Sequence, residues 1–166
     1  MAEDARVTEA RTLLEKAAKL AAEGKYADAA VYSERALKLF EDALGSMHPA
    51  VGLSLLVLGT SYARQGQLAR SEPLYLRALA IHEAAYDQNH PVFAASLDAL
   101  AALYNDQGLY DRAEPLFQRA LAIREEAPGP NHPDVATSLN NLAVVYQEQG
   151  FHDRAEPLFR RALAIR

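Results

Sequence analysis

Apolar residues recur along the chain with helical spacing, and the recurrence comes in pairs separated by a glycine. Val135, Leu139, Leu142, Ala143 and Tyr146 follow one helical face, and Ala155, Leu158, Phe159, Ala162 and Leu163 follow another after Gly150. His48-Pro49, His90-Pro91 and His132-Pro133 are each 42 residues apart, as are Gly24, Gly66, Gly108 and Gly150. Laid over each other, residues 90–124 and 132–166 agree at 23 of 35 positions, and Arg35, Arg77, Arg119 and Arg161 keep the same register. The chain is an internal duplication.

Each unit predicts two helices. First helices fall at about 6–22, 49–65, 91–107 and 133–149, and second helices at about 26–44, 68–86, 111–127 and 153–166. His-Pro reads as a cap followed by proline at the first helical position, and each recurring glycine as a left-handed helix end. Asp111 with Glu114 and Asp153 with Glu156 suggest capping boxes. Pro73, Pro115 and Pro157 should lie about one turn inside their helices, where few backbone donors are lost. An amphipathic hairpin cannot bury its apolar face alone, so the expected architecture is all-α: a right-handed superhelical solenoid of four helix-turn-helix repeats, about 6–47, 48–89, 90–131 and 132–166, forming one domain over residues 1–166.

Composition removes several classes of function. The 166 residues include no cysteine, which excludes disulfide scaffolds and thiol chemistry. The net charge is −5, and the four lysines, Lys16, Lys19, Lys25 and Lys38, lie among carboxylates in the first quarter, so no basic stripe offers itself to nucleic acid. The N-terminus lacks a secretory pattern and no long apolar run occurs, so a cytoplasmic protein off the membrane is expected. The three capping histidines occupy equivalent places in different repeats, too far apart to meet on one metal ion. His82 and His152 read as surface residues, and Glu41-Asp42 and Glu125-Glu126 as solvated charge. No catalytic motif is present, so neither an enzyme nor a cofactor is expected.

The pattern resembles the tetratricopeptide repeat on Leu139, Leu142, Ala143, Tyr146, Ala155, Phe159 and Ala162, with matching sets in the second and third units. The first unit is worn, with Lys16 at a usually apolar position and Ser33 in place of the large aromatic. The 42-residue period, with Asn140-Asn141-Leu142-Ala143, Ala155-Glu156-Pro157-Leu158 and Arg161-Ala162-Leu163, is similar to the kinesin-light-chain type. No heptad coiled coil precedes the repeats, so a motor subunit is not expected.

The resemblance implies a scaffold or adaptor whose first helices line a concave groove for a peptide or partner segment. The implied groove residues are Arg11, Leu14, Ala18 and Ala21, then Leu53, Leu56, Thr60, Ala63 and Arg64, an apolar end. Ala95, Asp98, Ala102, Asn105 and Asp106 follow, then Thr137, Asn140, Asn141, Val144, Gln147 and Glu148, a polar and acidic end. Asn140 and Asn141 stand out because an amide can pair with both groups of a peptide backbone. A clamp for a terminal carboxylate is not assembled: Asn141 fits it, but Glu15, Val57 and Ala99 occupy the equivalent sites. The Arg35 series reads as structural support, pairing with Glu72, Glu114, Glu156 or a neighbouring loop. Leu158, Ala162 and Ile165 on the last helix should be partly bare, which makes a homo-oligomer, natural or engineered, the rival reading.

Overall fold

The computed structural model describes residues 4–165 and holds, among them, eight helices and no strand. They are α1 (Ala5–Ala22), α2 (Tyr26–Leu44), α3 (Pro49–Arg64), α4 (Leu68–Ala85), α5 (Pro91–Asp106), α6 (Tyr110–Glu126), α7 (Pro133–Glu148) and α8 (His152–Ile165). The expected end at Arg166 lies outside the described residues. The imidazoles of His48, His90 and His132 cap α3, α5 and α7, each Nδ1 accepting from the backbone N–H two residues on at 3.1–3.2 Å. The proline that follows has no donor to lose at that position.

The turn inside each hairpin closes so tightly that it leaves no place for the expected capping boxes. In repeat three Gly108, at φ +73°, donates to the Asn105 carbonyl, and Leu109 N–H reaches back to the Tyr104 carbonyl. Leu109 then serves at once as the N-cap of α6, without a side-chain bond. Asp111 and Asp153 are therefore not caps: they sit inside the first turns of α6 and α8, where a carboxylate still complements the helix dipole. Because α6 and α8 start early, Pro115 and Pro157, like Pro73 in α4, occupy the sixth helical residue. Each lies just past the first turn, close to the expected depth, and removes one intrahelical donor, and all three rings are exposed.

The chain forms two compact units, Met1–Ala85 and Tyr86–Arg166. In the first, α1 packs on α2, α3 on α4, and the hairpins join through α2–α3 and α1–α3. Its core holds Val7, Ala10, Ala36, Phe40, Val51, Leu55, Ala78 and Ile81. In the second unit, α5 packs on α6, α7 on α8, and α6 and α5 both meet α7. Val135, Ala136, Leu139 and Ala162 form a core there, with Leu121, Leu158 and Ile165 against it. Alanine at 36, 78, 120 and 162 is buried in every hairpin, where a small side chain lets the paired helices approach. Ala162 is thus not bare. On α8 the large apolar side chain left exposed is Leu163, at 74%, although its spacing resembled that of a core residue. Its counterpart Leu121 on α6 is covered because α7 packs over it.

Candidate protein-interaction faces

The first helices divide their side chains between the core and an outward face. In unit 1, α3 presents Leu53, 39% exposed, with Leu56, Thr60 and Ala63 half-buried beside it and Arg64 exposed at the helix end. The Thr60 hydroxyl lies 3.0 Å from the Tyr75 hydroxyl and is already hydrogen-bonded. On α1, Leu14 and Ala21 are half-buried while Arg11 and Ala18 are exposed. In unit 2, α7 presents Asn140 and Asn141 half-buried, with Thr137, Val144, Gln147 and Glu148 exposed. On α5, Ala95, Ala102 and Asp106 are exposed, and Asp98 and Asn105 are half-buried.

Asp98 is not a free charge. Its carboxylate pairs with Arg124 of α6, and Arg124 also donates to Ser138 of α7 at 2.5 Å, so one guanidinium ties three helices of unit 2. Burial pushes the Asp98 carboxyl above the usual carboxylate range although Arg124 opposes the shift, and Asp134 adds to it. The buried oxygens Asp98 Oδ1 and Asn105 Oδ1 have no hydrogen-bond partner.

A second set of tethers escaped sequence reasoning. In unit 1 the Tyr62 hydroxyl donates to Glu34 of the preceding repeat and accepts from Arg70 at 2.6 Å, with the guanidinium over the ring at 3.8 Å. In unit 2 Tyr146 donates to Glu114 at 2.9 Å and accepts from Arg154 at 3.0 Å and Gln118 at 3.2 Å. Arg154 covers the Tyr146 ring, as Arg112 covers that of Tyr104. The available signal was Arg70, Arg112 and Arg154, each eight residues after a tyrosine and 42 residues from the next. Burial disfavours the phenolate and so pushes the Tyr62 and Tyr146 hydroxyls above the usual tyrosine value.

Three other expectations change. The Arg35 series pairs with other carboxylates: Arg35 with Glu9, Arg77 with Glu41 at 2.5 Å and Arg161 with Glu125 at 2.5 Å, while Arg119 lies over the Phe93 ring, and Glu114 and Glu156 pair with Arg154 and Arg160. Arg77 does reach a neighbouring loop, at the Ser46 carbonyl. Glu41 and Glu125 are consequently inter-repeat tethers, because each faces the next second helix. His82 is fully buried, packed against α3 where Gly52 leaves room for its ring; His152 is exposed.

The tetratricopeptide repeat family model matches residues 8–84 and 92–166. The chain belongs to this family. Among solved structures, BtubC (BKLC) from P. vanneervenii is similar with a TM-score of 0.86 at 24% identity, over 99% of this chain and 66% of that one. A Podosopora anserina protein described as a kinesin light chain with nearly identical TPR-like repeats gives 0.81 at 27% identity, over 93% and 74%. A Rap protein complexed with competence and sporulation factor gives 0.86 at 18% identity, over 99% and 44%. The repeat protein therefore spans under half of the Rap chain and just under two thirds of BtubC. No curated protein matches. Among the described residues no helix is long and apolar enough to cross a membrane, and no three acidic or histidine side chains gather as a metal site.

Proposed function

We propose that the repeat protein is an adaptor that holds a segment of another protein against its first helices, without catalysis, as a single interaction domain in the cytoplasm. The family's fold is typically a protein-protein interaction scaffold. The observation that carries the reading is the division within each first helix: one side is consumed by hairpin packing while another stays outward with binding-capable groups. On α3 those groups are Leu53, Leu56 and Arg64, with Thr60 held by Tyr75; on α7 they are Asn140, Asn141, Val144, Gln147 and Glu148; on α5 they are Asn105 and Asp106, with Asp98 held by Arg124. The amides supply both donors and acceptors to a backbone, and the leucines supply an apolar anchor.

Affinity capture from the native cell tests it. A discrete partner that is lost with Asn140→Ala/Asn141→Ala or with Leu53→Asp supports the reading; a partner retained by all these variants removes these faces from the site.

A second reading, self-association through α8, is favoured by the 74% exposure of Leu163. Head-to-tail stacking is disfavoured, because α1 presents exposed Glu9, Thr12 and Lys16 where α3 buries Val51, Ser54 and Leu58. An isologous pair of α8 faces is the form left. Light scattering that shows a monomer at every concentration would defeat it.

A further inference from the structure

The helices α6 and α8 carry nearly one sequence: from Ala113 to Arg124 and from Ala155 to Arg166 they differ at one position in twelve, Gln118 against Arg160. The same face is covered on one helix and bare on the other. On α6, Leu121 packs against the cluster that Val135, Ala136 and Leu139 form on α7, and Phe117 is buried. Farther along that joint the Tyr146 hydroxyl donates to Glu114 at 2.9 Å and accepts from Gln118 at 3.2 Å. On α8, Leu163 is exposed and Phe159 half-buried. The Glu156 side chain is 63% exposed where that of Glu114 is 22%, and it pairs with Arg160 one turn on. Acceptor, donor and apolar contact thus stand on α8 at the registers that hold α7 on α6, with no helix over them among the described residues.

We propose that α8 docks an amphipathic helix of a partner protein as α6 docks α7: aliphatic side chains four residues apart against Leu163, then a tyrosine seven residues later whose hydroxyl donates to Glu156 and accepts from Arg160. Val135, Leu139 and Tyr146 set that spacing on α7. Arginine already acts as such a donor in the chain, since Arg70 donates to the Tyr62 hydroxyl. A second copy does not supply the helix. Its α1 has Glu9 and Leu20 at the registers of Val135 and Tyr146, and Glu9 is held by Arg35. The tyrosines of α3, α5 and α7 are buried where they stand, and α8 has none. Burial of Leu163 and Phe159 drives the association, while the polar pair selects the register of the incoming helix. These residues lie on α8, apart from the first helices, so the adaptor reading stands or falls separately.

The probe is a fluorescein-labelled synthetic peptide of residues 132–148, held helical by a hydrocarbon staple across its Thr137 and Val144 positions, which are exposed on α7 and leave the docking side free. Fluorescence anisotropy should show it binding the full chain, and Leu163→Asp should weaken that binding about tenfold. A peptide carrying Tyr146→Phe should bind the wild-type chain about fivefold more weakly, and this difference should vanish on a Glu156→Ala/Arg160→Ala chain. All three substituted positions are exposed, so both variants should melt close to the wild type. Absence of binding, or equal binding to the wild type and Leu163→Asp, overturns the docking face. A tyrosine effect that persists without Glu156 and Arg160 overturns the register. A dimer in light scattering that the peptide leaves intact would assign α8 to a second copy and likewise overturn the partner helix.

Discussion

Repeats two and three fill the same positions with opposite chemistry. In α3 and α4, two glycines make space for two large side chains: Gly52 faces the buried ring of His82, and Gly59 faces Tyr75, whose Cε1 lies 2.6 Å from where a Cβ would stand. In α5 and α6 the same registers hold Ala94 and Ala101 opposite Arg124 and Phe117. Where α3 has half-buried Leu56, α5 has Asp98, which gives Arg124 its countercharge. One backbone design thus tolerates an interior closed by shape and an interior closed by charge. What it requires is that both members of a pair change together.

Breaking the charged pair should have the largest effect. Asp98→Leu installs the residue of repeat two but leaves Arg124, which is 12% exposed, without its countercharge and with the neutral Ser138 hydroxyl as acceptor. Removing one member of a buried pair costs about 3–5 kcal/mol, whereas replacing both with apolar groups is often neutral. Repeat one supplies the model for that replacement, Leu14 with Phe40, where Phe40 is 2% exposed. Asp98→Leu should therefore lower the urea midpoint strongly, and Asp98→Leu/Arg124→Phe should restore most of the loss. A double variant no better than the single would show that Arg124 holds Ser138 and α7 in a way an apolar side chain cannot replace.

The shape-closed pair should give a smaller effect of the same kind. Gly52→Ala/Gly59→Ala places methyl groups where the His82 and Tyr75 rings stand. Overpacking of this sort costs about 1–3 kcal/mol at each site, against about 1 kcal/mol per site gained from alanine's better helix propensity. A net loss of about 2 kcal/mol in unit 1 is expected, with unit 2 unaffected, measured by hydrogen exchange resolved between α3–α4 and α7–α8. Unchanged protection in α3 and α4 would mean that the hairpin opens to accept the methyl groups, as repeat three does with Ala101 beside Phe117.

These pairs also show where the sequence was legible. Helix positions followed from period and punctuation, because apolar spacing, His-Pro and the positive-φ glycines are local signals repeated at a fixed interval. Partnerships were less legible. His82 looked like a surface histidine because nothing in its own neighbourhood tells that Gly52, thirty residues earlier, opens a space for it. Asp98 looked like a groove charge because its partner Arg124 lies one helix away. Arg35, Arg77 and Arg161 were recognised as supports, yet their carboxylates were misassigned, since the choice among several glutamates depends on how successive helices are rotated. Of the candidate faces, the sequence located the helices and the register. It could not separate side chains turned outward, such as Asn141 and Val144, from one already engaged, such as Thr60.

Titration sharpens the contrast with the smallest effect. Burial raises the Asp98 carboxyl above its unfolded value, with Arg124 acting in the opposite direction. A raised carboxyl binds its proton more readily in the folded state, so its contribution to stability is full at low pH and is lost as pH climbs through the folded value. A carboxylate held below its ordinary value behaves in the reverse sense, as Asp4 does beside the Arg6 guanidinium. The useful quantity is therefore the difference in unfolding free energy between wild type and Asp98→Asn, which carries the side chain found at the matching position in repeat four, Asn140. That difference should move in favour of the wild type on going from neutral pH toward the carboxylate range, by less than the ~1.4 kcal/mol per pH unit of one full proton. The equivalent comparison in unit 1, Leu56→Ala against wild type, should be flat over the same range, because no titrating group occupies that position. A flat Asp98 difference would mean that Arg124 holds the carboxylate ionised and that charge, not desolvation, governs the joint between α5, α6 and α7.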